Sequence, residues 1–281
     1  MKLTKTQLAG ILTGALAISG AASAASVTTI DGITTAVGGY LDIGTLYEGQ
    51  VTGVPGTNYT TAISAVGQEL GGIGIVDALK TSGGQTVWSN GQNSMELSMQ
   101  FGGFKVEAIN TIGSAINILF SGGWANFYSQ AAGTFNPSLF PADPNAVASA
   151  TAGNLWLSTV GATSKLCVAA DNCAGGLGTA ITLQSTILAG DLFNIGSGVG
   201  NGFLDIFGSA LANSLFDTNT QPSGQDIALG SSFNSQSSTG SFFASGSMDL
   251  RGTVTVPEPT SIALLGMGIL AFGLNGRKLK A

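Results

Sequence analysis

The chain has 281 residues, of which 43 are glycine, about twice the usual ~7%; at roughly 1 kcal/mol per interior glycine, this disfavours a long helical bundle. Only 9% of residues are charged and 44% are hydrophobic, which argues against a disordered polar chain. The absence of histidine excludes imidazole-dependent hydrolysis and His-ligated zinc, two cysteines are too few for a structural zinc or iron–sulfur site, and a net charge of -6 would repel nucleic-acid phosphate.

The N-terminus reads as a signal peptide over residues 1–24. Lys2 and Lys5 precede an apolar stretch, Leu8 to Ile18, and Ala22-Ser23-Ala24 supplies small residues for cleavage. Cleavage between Ala24 and Ala25, or at a neighbouring alanine, by signal peptidase would export the body to an oxidising compartment. Between Ala25 and Val256 there are four basic and 14 acidic residues, a net -10, whereas both ends of the chain are basic.

Residues 25–256 are expected to form a secreted β-rich domain, because period-2 alternation dominates. Met95, Leu97, Met99 and Phe101 share one face of Ser94 to Phe101. Met248, Leu250, Val254 and Val256 share one face of Ser247 to Val256. Shorter strand candidates are Tyr40 to Tyr47, Lys105 to Asn110, Ile116 to Phe120, Trp124 to Tyr128, Leu155 to Val160, Ala180 to Ile187 and Phe203 to Phe207. Gly-Gly pairs beginning at 38, 71, 83, 102, 122 and 175 read as turns or bulges between them. The predicted fold is all-β, an antiparallel β-sandwich or jelly roll, with a single apolar helix at the C-terminus. Thr61 to Leu79 carries a weak helical spacing that its glycines oppose, and Pro137 to Pro144 and Ser231 to Ser241 read as loops.

Few side chains in the body invite chemistry. Without histidine, catalysis would fall to carboxylate pairs of the glycosidase kind, but Glu96 and Glu107 sit at outward strand positions and read as solvated surface groups. No catalytic residue, metal or cofactor is assigned. Cys167 and Cys173 are placed for a local disulfide, worth about 2 kcal/mol in the loop-entropy model, with free buried thiols the other reading; Asp171 between them reads as a turn cap. Trp88, Trp124 and Trp156 lie in or beside strands, where core packing competes with a sugar-stacking platform.

Residues 257–281 are the most specific segment. Pro257-Glu258-Pro259 forces an extended entry into a nearly uncharged run, Ser261 to Leu274, followed by Arg277 and Lys278. As a helix the run would rise roughly 21 Å, short of a ~30 Å hydrocarbon core, so it would span only with flanking residues and snorkelling of the basic side chains. The basic cluster places the extreme C-terminus on the cytoplasmic side.

This tail resembles the PEP-CTERM sorting signal of exopolysaccharide-producing Gram-negative bacteria: Pro257, Glu258 and Pro259, then ALLGMGILAFG, then Arg277 and Lys278. The resemblance implies export, transient anchoring in the inner membrane and processing near the Pro-Glu-Pro motif by an exosortase. Leu279 and Ala281 dilute the basic end that the family often carries as arginines. Within the body, WSNGQNSMELSMQFGG from Trp88, SGGWANFYS around Trp124 and LFDTNTQPSGQDIALGSSF from Leu215 resemble the flocculation-associated branch of these proteins. That resemblance implies a non-enzymatic extracellular matrix protein at the cell surface, promoting cell aggregation in flocs or biofilm together with exopolysaccharide. The alternative is a lectin-like module using the tryptophans.

Overall fold

Alternating apolar residues on long strands can bury their shared face either against a second sheet or by curling one sheet onto itself. In the computed structural model, which describes residues 27–52, 59–136, 144–235 and 243–252, the chain takes the second course. The strands are β1 (Val27–Ile30), β2 (Ile33–Ala36), β3 (Tyr40–Gln50), β4 (Glu69–Val76), β5 (Ala78–Lys80), β6 (Thr86–Ser89), β7 (Met95–Ile112), β8 (Ala115–Ala131), β9 (Asn154–Ala162), β10 (Lys165–Leu166), β11 (Ala180–Ile181), β12 (Leu183–Gly190), β13 (Ile195–Ile206), β14 (Ile227–Ser235) and β15 (Ala244–Arg251). Two short helices interrupt them, α1 (Pro144–Ala150) and α2 (Asn213–Phe216).

Antiparallel pairing runs β3-β4-β7-β8-β12-β13-β14-β15 and returns to β3, an eight-stranded closed circuit. The all-β antiparallel expectation therefore holds, while the two-sheet sandwich or jelly roll is replaced by a barrel-like sheet. Where β12 ends, β9 takes its place between β8 and β13, so the wall continues to the far end.

The glycine pairs explain the difference. Gly102-Gly103 and Gly122-Gly123, read from the sequence as turns or bulges, end no strand: β7 and β8 run through them for 18 and 17 residues. Gly122 and Gly123 have φ of 66° and 95°, which non-glycine residues rarely adopt, and a Cβ on Gly123 would lie 2.2 Å from the Phe104 ring. The pairs bend the strands as a closing sheet requires. Beyond this bend β8 exchanges β12 for β9 as its neighbour.

The interior is apolar. Leu41, Ile43 and Leu46 of β3, Leu97, Met99 and Phe101 of β7, Leu204, Leu229 and Leu250 all join one buried cluster. Outward positions such as Asn201, Ser232, Asn234 and Ser247 are exposed, an arrangement opposite to a membrane barrel with its apolar band outside. No helix among the described residues is long and apolar enough to cross a membrane.

One end of the barrel is closed. Ile33 of the β1–β2 hairpin is fully buried, the Trp156 Nε1–H donates to the Ile30 carbonyl at 3.2 Å, and Phe216 of α2 meets the Trp156 ring edge-on at 5.8 Å. Asp31 accepts hydrogen bonds from Ser129 and Asn154, which hold its carboxyl below the usual range. Asp226 accepts the backbone N–H groups of Ile206, Thr218 and Asn219, each at 2.8 Å, fixing the segment that follows β13.

Two patches cover the outer wall, and they correct the reading of the carboxylates. Helix α1 contributes Ala146, Val147 and Ala150 to a cluster with Tyr59, Ile73 and Phe135; beneath it Glu96 is 3% exposed. Glu96 accepts hydrogen bonds from Gln130 at 3.0 Å, Gly133 N at 2.8 Å and Phe135 N. The disulfide segment covers Ala108 and Leu119, and there Glu107, 4% exposed, accepts from Ser121 Oγ at 2.6 Å and Gly175 N at 2.9 Å. Alternation places both carboxylates outside the barrel but does not reveal what packs over them; they are buried anchors for loops, not solvated groups.

Thr61 to Leu79 is strand from Glu69 onward rather than helix, and Ser231 to Ser235 belongs to β14 rather than to a loop. The signal peptide, the sorting segment with its apolar helix, and most of Pro137 to Pro144 lie outside the described residues.

Candidate functional site

The end of the barrel opposite the β1–β2 hairpin holds its least expected side chains. On β3, Glu48 follows Leu46 by two residues and so also points inward. On β12, Ser185 occupies the inward position between Leu183 and Ile187, and on β14 Ser231 does so between Leu229 and Phe233. Strand β13 lies between the last two, with Gly200 paired to Ser185 on one side and Ser231 on the other.

Gly200 makes the space these groups share. A Cβ there would stand 2.4 Å from Ser231 Oγ and 3.5 Å from Ser185 Oγ, so any larger residue would fill the gap between the two hydroxyls. Its inward neighbours on β13, Gly198 and Gly202, are glycine as well, and the Phe233 ring packs over Gly198. Beside the serines are two small adjoining cavities of about 40 Å³ and 20 Å³. Both are bordered by Glu48, Leu70, Ser185 and Phe233; Ile63, Leu192 and Phe243 line the first, Met99, Phe101 and Ser231 the second.

Among the described residues Glu48 is the only ionisable one lining either space. Burial away from water, with no opposing charge, pushes its carboxyl up to about 7. Among the described residues neither this carboxyl nor the two serine hydroxyls has a hydrogen-bond partner, but Glu48 and Ser231 are only part-buried, so water can reach them. Protonated, Glu48 can donate and accept a hydrogen bond; ionised, it only accepts, and each serine can do both. In cavities of this size these groups suit a small polar molecule such as water.

The residues singled out from sequence fall elsewhere. Trp88 and Trp156 are fully buried and present no ring face to a ligand. Trp124 is half-buried, its ring against Gly102 and Gly103, where a Cβ on Gly103 would come within 3.0 Å of Cδ1. Cys167 and Cys173 form a disulfide with Cα atoms 6.4 Å apart. Asp171 accepts the Val168 N–H at 3.1 Å and pairs with Lys165 Nζ at 2.9 Å through both oxygens, which keeps its carboxyl below the usual range. With both sulfurs bonded to each other and Asp171 held by Lys165, this cluster offers no donor set for a metal ion.

On the outer wall, β13, β14, β15 and β3 carry a shallow groove of about 380 Å³ bordered by Ser197, Ser232, Asn234, Ser245 and Ser247. Ser232 and Ser247 hydroxyls lie 3.1 Å apart across it.

Glu48, Ser185 and Ser231 were missed in the sequence. The available signal was a polar residue at an inward position of an alternating strand, as in Leu183-x-Ser185-x-Ile187, beside Gly198-x-Gly200-x-Gly202.

Residues 255–278 match the family model of the PEP-CTERM protein-sorting motif. The chain thus carries a PEP-CTERM sorting motif, which indicates exosortase-dependent export to the envelope or surface of a Gram-negative cell. No curated protein and no solved structure matches the chain. Pro257, Glu258, Pro259, Arg277 and Lys278 of the sorting motif, and Ala24 and Ala25 of the signal cleavage site, lie outside the described residues.

Proposed function

We propose that this is a non-catalytic extracellular matrix protein that promotes cell aggregation, in flocs or biofilm, in association with exopolysaccharide. The sorting motif at residues 255–278 carries the reading, since such a tail sends its protein to the surface. In this account signal peptidase removes residues 1–24, the apolar run holds the chain briefly in the inner membrane, and exosortase processes it near Pro257-Glu258-Pro259.

The outer wall supports the association. Among the described residues its shallow groove presents hydroxyl and amide side chains and no Lys or Arg, so contact with a polysaccharide would rest on hydrogen bonding rather than ion exchange. The lectin-like alternative is reduced to Trp124, because the other two tryptophans are buried.

Deleting the gene tests the role. The expected result is dispersed cells that lose exopolysaccharide on washing, with aggregation restored by the wild-type gene. Unchanged aggregation and polysaccharide retention in the deletion strain would remove the matrix function.

A further inference from the structure

We propose that Trp124, with Glu69 at its rim, is a stacking platform for one neutral hexopyranose ring of a polysaccharide chain. The apolar C–H face of the sugar lies on the indole, and its hydroxyls hydrogen-bond to Glu69 Oε2 and to the indole N–H. This deepens the association with exopolysaccharide proposed above and rests on it for the class of ligand.

Three observations converge on the site. The first is that Trp124 stands outside the core: it is half-buried and belongs to none of the three buried apolar clusters, whereas Trp88 and Trp156 are fully buried. The second is what lies beneath it. A Cβ on Gly102 would stand 3.2 Å from Trp124 Cζ2, and one on Gly103 would stand 3.0 Å from Cδ1 and 3.2 Å from Nε1. Contacts at both ends of the indole mean that the ring lies along the Gly102-Gly103 backbone on the outer wall. Gly102 directly across on β7 and Gly122 two residues before it on β8 send up no side chain beside the ring. The third is Glu69 of β4, which is exposed. Its Oε1 accepts the Gly103 N–H at 2.8 Å and lies 3.8 Å from the same Gly102 point, so the carboxylate borders the six-membered ring of the indole. That contact holds Glu69 in place, while its Oε2 and the Trp124 Nε1–H have no hydrogen-bond partner among the described residues. A ring that served only to cover glycine backbone would need neither the fixed carboxylate nor an open N–H.

The chemistry of these groups selects the ligand. An indole face is apolar and carries negative potential, which suits the C–H groups on the flat side of a pyranose. An ionised carboxylate only accepts hydrogen bonds and an indole N–H only donates; a sugar hydroxyl can answer both. A uronate would set its own carboxylate against Glu69. Lys105, the register partner of Glu69 on β7, makes no ion pair with it among the described residues.

Acrylamide quenching of tryptophan fluorescence in the purified protein tests the proposal, with cellopentaose, mannopentaose and pentagalacturonate as probes. Two of the three tryptophans are buried, so the quenchable fluorescence belongs to Trp124. Cellopentaose or mannopentaose should protect it saturably, with pentagalacturonate at least about tenfold weaker. Glu69→Gln retains an acceptor for the Gly103 N–H and should weaken the preferred sugar about tenfold at an unchanged unfolding midpoint. By calorimetry, Trp124→Phe should keep part of the affinity and Trp124→Ala none. Glu69→Gln and Trp124→Phe keep the test open if Trp124→Ala fails to fold. Absence of saturable protection by both neutral sugars would leave Trp124 as wall cover, and the proposal would fall. Equal affinity for pentagalacturonate, or affinity unchanged in Glu69→Gln, would overturn it as well. Returning Trp124→Phe and Glu69→Gln together to the deletion strain separates this site from the matrix role. Aggregation restored by the wild-type gene and weakened in the variant supports both. Full restoration by the variant leaves the matrix role standing and overturns the platform, whereas a deletion without effect removes the matrix role and leaves the quenching result to decide the platform.

Discussion

Trp156→Ala is expected to lower the unfolding free energy by about 3–5 kcal/mol, the usual range for truncating a fully buried large aromatic. The ring is completely buried, packs edge-on against Phe216 and donates its N–H to the Ile30 carbonyl. Its loss would therefore open a cavity and loosen both the β1–β2 hairpin and α2 at the closed end. Urea unfolding at constant m-value reads the change directly. Trp124→Ala, at a half-buried ring resting on Gly102 and Gly103, should cost clearly less. Equal losses at the two positions would contradict the assignment of Trp156 to the end plug.

The second large effect concerns pH. Glu48 has its carboxyl raised from 4.5 to about 7 by burial, so the folded protein holds this proton more tightly than the unfolded chain. The folded state then binds more protons over that interval, and stability falls as pH rises from the unfolded value through the folded one. The fall amounts to about 3 kcal/mol at one pKa unit per ~1.4 kcal/mol and levels off above the folded value. Asp77 and Asp205 are also raised by burial and add slope of the same sign at lower pH. Asp31 and Asp171 are lowered by their hydrogen bonds; their stabilisation is present above the unfolded value and is lost as pH falls further. The informative quantity is thus the difference between wild type and Glu48→Gln. Denaturation followed across this range should show the slope in wild type and its loss in the variant; parallel profiles would contradict an uncompensated carboxyl in the barrel.

How much was legible beforehand follows from what alternation encodes. The inward set Leu97, Met99 and Phe101 and the outward Asp249 and Arg251 were read correctly, because a period of two fixes faces regardless of what the sheet becomes. Closure was not legible. It depends on β3 finding β15 across some two hundred positions of sequence, and on glycine pairs that bend strands where the same residues could end them. Glu96 and Glu107 show a second limit. Their side of the sheet was right, yet α1 and the disulfide segment cover them, and such tertiary cover leaves no local mark. Glu48 shows a third, since it follows a shift in pairing between β3 and β15 that displaces the inward register, so its facing cannot be counted from Leu41 and Ile43. The disulfide, by contrast, was readable from two cysteines six residues apart in a chain bound for export.

The sorting signal stands apart from these, since it is read from a linear pattern rather than from packing. Pro257-Glu258-Pro259, the apolar run and Arg277-Lys278 sufficed to place it, and the match over residues 255–278 bears it out.

Export with processing at that signal is the central claim, and intact-mass measurement of the extracellular protein tests it most directly. The account expects a chain that begins near Ala25 and lacks the segment after about Pro259, with an added mass if exosortase transfers the new terminus to an acceptor. Recovery outside the cell of a chain that still ends at Ala281 would contradict it.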